Sequence, residues 1–143
     1  MKNDLLISQE IAAVLKASYT LGIAHVNAAQ AAADIVRPSL SVTGEWQQYG
    51  ETFRKGSLTL ELRSRTGDET AGHEHDAMFA ALLGALCGAG AISSSSAKAT
   101  FKAALATRAV VNVIDYGPKG IESDVDGEDL RTVLTLNMVC KFV

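Results

Sequence analysis

Three clusters in this chain carry side chains able to do chemistry: His73-Glu74-His75-Asp76, the acidic run Asp124-Val125-Asp126-Gly127-Glu128-Asp129, and Ser93-Ser94-Ser95-Ser96. The first suggests metal-dependent hydrolysis, with imidazoles and Asp76 around an ion. On a helix, however, residues two apart point about 200° apart, so His73 and His75 cannot share one ion. A zinc-binding helix needs histidines four apart, and His-Glu-x-x-His is absent. His75 instead heads an apolar stripe of Met78, Phe79, Leu82 and Leu86, while His73 heads the small residues Ala77, Ala80, Ala81 and Gly84. The expectation is a helix N-terminal turn with His75 half-buried and no metal. A small metal-dependent hydrolase using His73, His75 and Asp76 is the alternative.

The acidic run spaces its carboxylates like a calcium loop but lacks the twelve-residue frame, the glycine at position six and the closing glutamate. It reads as a solvated loop over Tyr116 to Asp129, with Asp124, Asp126, Glu128 and Asp129 available to a basic partner. The serine run has no Gly-x-Ser-x-Gly around it to mark a nucleophile. There is no glycine-rich phosphate loop, no dinucleotide fingerprint and no Cys-x-x-Cys. Cys87 and Cys140 sit in apolar surroundings and read as free core thiols of a protein made in the cytoplasm. Catalytic residues, cofactors and metals are therefore expected to be absent, and the chain is expected not to be an enzyme.

At 143 residues, 48% of them apolar and 20% charged, the chain has the composition of one globular domain with a real core. No uncharged run approaches the roughly 18–20 strongly apolar residues of a membrane span, and the N-terminus does not read as a secretory signal. The net charge is −3 and the basic residues are scattered without interleaved aromatics, so sequence-specific nucleic-acid binding and membrane association are not expected.

Periodicity supplies the elements that must position these clusters. Leu6, Ile7, Ile11, Val14 and Leu15 predict a helix from about Asn3 to Ser18, with Glu10 near its N-terminal end. Tyr19 to Ala33 is left open. Ile35 to Val42 reads as a strand; Pro38 cannot donate to a ladder, so the strand is expected to be an edge or to be paired on one side only there. Thr43 to Lys55 is polar and reads as a long hairpin connection into a strand at Ser57–Arg65. Asp68 or Thr70 caps a helix reaching about Ala89, Ser96 caps a shorter one to about Thr107, and strands follow at Ala109–Asp115 and Leu130–Val143. The fold class is α+β: a mainly antiparallel or mixed sheet with helices packed on one face, in a single domain.

Two of these elements point to assembly. Leu58, Leu60 and Leu62 fall on one face of their strand, so Glu61, Arg63 and Arg65 project together from the other. The helix that follows has no charge from Ala77 to Gly90, and a chain this short has little second layer to cover it all round. Its large residues should sit on the sheet. Its small residues, Ala77, Ala80, Ala81, Gly84 and Gly88, should meet either the next helix or another subunit. If the charged row is a subunit contact, Arg63→Glu should spoil assembly and leave the fold intact.

From Val36 to the end, the chain resembles the tail terminator (tail completion) proteins of tailed bacteriophages. The resemblance lies in Val36-Arg37-Pro38-Ser39-Leu40, a polar hairpin, Leu58-Thr59-Leu60-Glu61-Leu62-Arg63-Ser64-Arg65, an acidic turn, Glu74-His75-Asp76-Ala77-Met78-Phe79-Ala80-Ala81-Leu82, and Arg131-Thr132-Val133-Leu134-Thr135-Leu136. It covers about two thirds of the chain, and the Tyr116–Asp129 segment has no counterpart in it. It implies a tail-terminator-like domain over residues 1–143 that forms a homo-oligomeric ring, hexameric in most members, at the head-proximal end of the tail tube. Such a ring stops tube growth and offers a surface to the head–tail connector, so the implied partners are the tube protein and connector proteins. The implied location is the virion tail or neck, after synthesis in the host cytoplasm. Another phage neck or connector protein fits the same pattern. In that ring Glu61, Arg63 and Arg65 are the expected contacts between subunits or with partners, and Asp124, Asp126, Glu128 and Asp129 are expected contacts on this sequence alone.

Overall fold

The leucine alternation that marks the central strand also sets which face of the sheet becomes the core. In the computed structural model, which describes residues 3–28, 36–67, 69–88 and 95–143, strand β3 (Phe53–Arg65) buries Leu58, Leu60 and Leu62 completely. β5 (Asp129–Phe142) lies antiparallel beside it and sets Leu134 opposite Leu60 and Leu136 opposite Leu58. β2 (Ser39–Tyr49) flanks β3 on the other side and adds Leu40 and Val42 to the same apolar face. A short β1 (His25–Asn27) runs parallel to β2, and β4 (Val111–Asp126) pairs antiparallel with β5. The sheet order is β1-β2-β3-β5-β4.

Three helices cover one face, which makes the fold α+β. Helix α1 (Asp4–Ser18) packs chiefly on β2 through Ile7, Ile11, Val14 and Leu15, and the Asn3 side chain accepts a hydrogen bond from the Leu6 amide at its N-terminus. Helix α3 (Ser95–Ala106) packs on β4 through Phe101 and Leu105. The Tyr116 ring meets Phe101 edge-on at 5.7 Å, and its hydroxyl donates to the Leu86 carbonyl. Between them helix α2 (Ala71–Leu86) buries Ala71, His75, Leu82 and Leu86. Cys87 and Cys140 are buried free thiols, and burial pushes the Cys140 thiol up to about 12.

Several expectations are corrected. The open segment contributes β1. Pro38 precedes β2 instead of interrupting it, and its carbonyl accepts from the His25 amide; β2 has strands on both sides at Ser39–Ser41 and pairs with β3 alone from Val42 to Tyr49. The polar stretch from Thr43 is ladder almost throughout: β2 and β3 pair from Ser39↔Arg63 to Tyr49↔Phe53, leaving a turn at Gly50-Glu51-Thr52 with Gly50 at φ 69°. The supposed acidic loop is likewise strand. β4 continues to Asp126, and the chain reverses through Gly127 and Glu128, with Gly127 at φ 62°, where a side chain would be strained. Helix α2 ends at Leu86, earlier than expected, with Gly88 at φ 87° beyond it. Thr70 is its N-cap, but the hydroxyl donates to Glu74 at 3.0 Å and no backbone amide is capped. Asp68, Ala89, Ser93 and Ser94 lie outside the described residues. Glu10 is not a free dipole partner; it is buried and paired with Arg108.

Candidate functional site

Because the helices of the described residues cover one face of the sheet, every second residue of its strands projects on the other side. That alternation puts Arg63 opposite Arg131 and Glu61 opposite Val133. Two arginines directly across an antiparallel pair would repel. Glu61 separates them, accepting from Arg63 at 3.2 Å and also from Arg131. Arg63 further reaches Asp126 at 2.9 Å and Asp129 at 3.2 Å, Arg131 reaches Asp124 at 3.2 Å, and Arg37 closes the chain on Asp129 at 3.1 Å. Signs alternate along the whole line. Burial pushes the Asp129 carboxyl up, but hydrogen bonds from Arg37 and Arg63, with their charges, outweigh it and hold the group below its ordinary value.

Five of the seven expected contact residues, Glu61, Arg63, Asp124, Asp126 and Asp129, thus belong to one intrachain network. The other two, Arg65 and Glu128, form an exposed pair at 3.3 Å beside it. The sequence reading missed Arg37 and Arg131. Their parity in the strand pattern was the available signal for Arg131; Arg37 lies just ahead of β2, and nothing local marks it. The network means that Arg63→Glu acts on contacts within the chain as well as on any subunit contact. Arg63 meets three carboxylates of its own chain, so reversing its charge removes three attractions and adds a fourth negative group.

On the helix side, His75 is not half-buried but only 4% exposed. Its Nδ1 shares a 2.7 Å hydrogen bond with Ser64 of β3, and its Nε2 shares one of 2.8 Å with Thr132 of β5. Thr132 in turn lies 3.0 Å from Ser123 of β4. One ring therefore ties α2 to two strands directly and to a third through a hydroxyl. Desolvation lowers the His75 pKa, with Asp76 partly opposing it, so the ring is neutral near pH 7. A signal existed: Ser64 continues the Leu58/Leu60/Leu62 face, and Thr132 the Leu134/Leu136 face. Polar groups at core positions call for a buried partner.

His73, by contrast, is exposed on the opposite side of α2. The two histidines do not converge, and among the described residues no three His, Cys, Asp or Glu side chains gather in metal-binding geometry. Leu82 and Leu86 lie on the sheet and Met78 and Phe79 are half-buried, while Ala77, Ala80 and Gly84 are exposed. Helix α3 does not cover that small-residue face.

At β4 the sheet is poorly suited to pairing with another strand, whereas on the other side β1 covers β2 only at Ser39–Ser41, and Val42–Tyr49 has no second strand partner among the described residues. β1 has three residues. β4 carries Pro118, which has no amide hydrogen, register shifts at Val113/Asp115 and Pro118/Gly120, and a charged distal half. These are the devices by which edge strands avoid edge-to-edge association. What remains open to a partner among the described residues is the β2 edge from Val42 to Tyr49, together with faces and turns. Among the described residues no helix is long and apolar enough to cross a membrane.

No protein-family model matches this chain, and no curated protein matches it either.

Proposed function

We propose that this chain is a structural virion protein of a tailed phage, a tail terminator that forms a ring, of six copies, at the head-proximal end of the tail tube. In this reading the ring ends tube polymerisation and presents the joining surface for the head–tail connector. The tube protein and the connector are its partners, and it catalyses no reaction. The observation that carries the reading is the one-sided build of the described residues: helices on one sheet face and an ordered charged and hydroxyl surface on the other. A charged face of this kind, present once per copy, suits a head-to-tail ring. The element order from β2 to β5 also follows the resemblance that the sequence carries.

A phage lacking the gene is expected to make overlong tubes or headless tails, restored by supplying the protein. In restored particles, labelled protein should appear as a single ring of six copies at the tube's head-proximal end. One copy per tail, or a spread along the tube, would overturn the reading. A ring on the head side of the joint would favour the alternative of another neck or connector protein. A metal-dependent hydrolase would require His75 to leave Ser64 and Thr132. Near-stoichiometric zinc in purified protein, lost on His75→Ala, would revive that alternative.

A further inference from the structure

The geometry points to a specific head-to-tail contact within that ring: the acidic β4–β5 turn of one copy docks in a trough on the bare sheet face of the next, beside Lys55. This deepens the ring reading and rests on it. The trough, of about 430 Å³, runs between the row Lys55–Val139–Asp115 and the row Ser57–Asn137–Gly117. Gly117 has no side chain, which leaves the trough open towards β4, and Ser57 and Asn137 give it a polar floor. Lys55 is exposed at its lip, with Lys141 diagonal to it across β3 and β5. The one carboxylate in the lining, Asp115, is already held by Lys98 at 3.0 Å, and exposed Glu45 of β2 lies diagonal to Lys55 outside the trough.

The complementary shape is at the other end of the same sheet. The Asp126 and Glu128 side chains of the turn Asp126-Gly127-Glu128 are 61% and 86% exposed, and each faces an arginine of its own chain, Arg63 at 2.9 Å and Arg65 at 3.3 Å, with which a docked Lys55 must share it. Glu122 is exposed on the same arm. Lys55 pairs across the ladder with Val139 and Arg65 with Asp129, so the trough and the turn lie ten β3 residues apart. At about 3.3 Å per residue that is roughly 33 Å, so the two cannot meet within one copy. Each copy has one turn and one trough of opposite sign on different surfaces. Repeating such a contact is heterologous, and it closes a ring when the rotation permits. The charge pairing selects partner and register and speeds encounter.

The same separation makes the test direct. Equal amounts of unlabelled and ¹⁵N-labelled full-length protein are coupled with a carbodiimide, which joins an amine to a carboxylate only when they touch. The expected product is a Lys55–Glu128 or Lys55–Asp126 cross-link between peptides of mixed isotope. Finding Lys55 joined only to carboxylates of its own chain would overturn the contact. A charge swap provides the second arm. Lys55→Glu and Glu128→Lys, both at exposed positions and checked for wild-type circular dichroism, should each weaken self-association by at least about a hundredfold. Mixed one to one they should assemble again, because each variant's turn then meets the other's trough. Single variants that assemble like the wild type would overturn this contact and leave the ring reading standing. Wild-type protein that stays monomeric even on tail tubes would remove both.

Discussion

Arg63 and Asp129, 66 residues apart in the chain, meet at 3.2 Å on the bare face of the sheet, where Asp129 also takes the guanidinium of Arg37. Asp129 opens β5 just after the hairpin turn, so this pair fixes the hairpin's base against β3. The ends of β2, β3, β4 and β5 are thereby tied by charge at the place where hydrophobic cover stops.

Asp129→Asn is expected to leave Arg37 and Arg63 facing a neutral amide. The Asp129 side chain is 10% exposed, and removing one partner of such a pair should cost about 2–3 kcal/mol. Urea unfolding should show a lower midpoint with an unchanged slope. The contribution also depends on pH. The folded carboxyl lies below its ordinary value of 3.8, so the stability it lends is complete well above that value and is lost as pH falls through the folded pKa. The variant should lack that part of the acid transition.

Reversing charge at two residues of one row should give different results. Arg63 is 16% exposed by side chain and meets three carboxylates, whereas Arg65 is 58% exposed and among the described residues pairs with Glu128. Arg63→Glu should destabilise the monomer by about 2–4 kcal/mol. Arg65→Glu should change stability by less than about 0.5 kcal/mol. Equal thermal shifts in the two variants would show that the network does not stabilise the fold.

His75 predicts a second pH dependence of opposite chemistry and the same direction. Burial holds the folded ring below the ordinary 6.5, so the unfolded chain takes up the proton more readily. Stability should be full above about pH 6.5 and should decline as pH falls below it, until the folded ring is itself protonated. Chemical denaturation across this range should show the decline, and His75→Gln should abolish it. The same variant should cost about 1–3 kcal/mol at pH 7.5 if the amide cannot satisfy both Ser64 and Thr132.

Two glycines should respond with opposite signs. A Cβ on Gly56 would lie 1.9 Å from the Glu45 carbonyl oxygen and 2.7 Å from Trp46 Cα, whereas one on Gly84 would meet nothing within 4 Å. Gly56→Ala should therefore push β2 and β3 apart and cost about 2–3 kcal/mol. Gly84→Ala, in the interior of α2, should add about 0.5–1 kcal/mol. Melting temperatures of the two variants test both.

Local pattern alone determined the α+β class, the central leucine strand, the Leu134–Cys140 core row, the three helices and the buried thiols, because alternation and helical spacing register which side of an element avoids water. It also placed Glu61, Arg63 and Arg65 on one face. Composition misled where pairing decided the outcome. Thr43 to Tyr49 and Tyr116 to Asp126 are polar or acidic, yet a ladder needs only backbone partners and a favourable register, and Arg63 and Arg131 neutralise the carboxylates that made the second stretch look like a loop. Partners 66 or 92 residues distant, such as Asp129 for Arg63 and Arg37, leave no local trace, since any of the scattered arginines would serve equally by type. The role of His75 was half visible: Ser64 and Thr132 interrupt two apolar rows. Only the stacking of α2 over β3 and β5 brought both hydroxyls to one ring, and only the register of β3 with β5 set the acidic turn and Lys55 at opposite ends of the molecule.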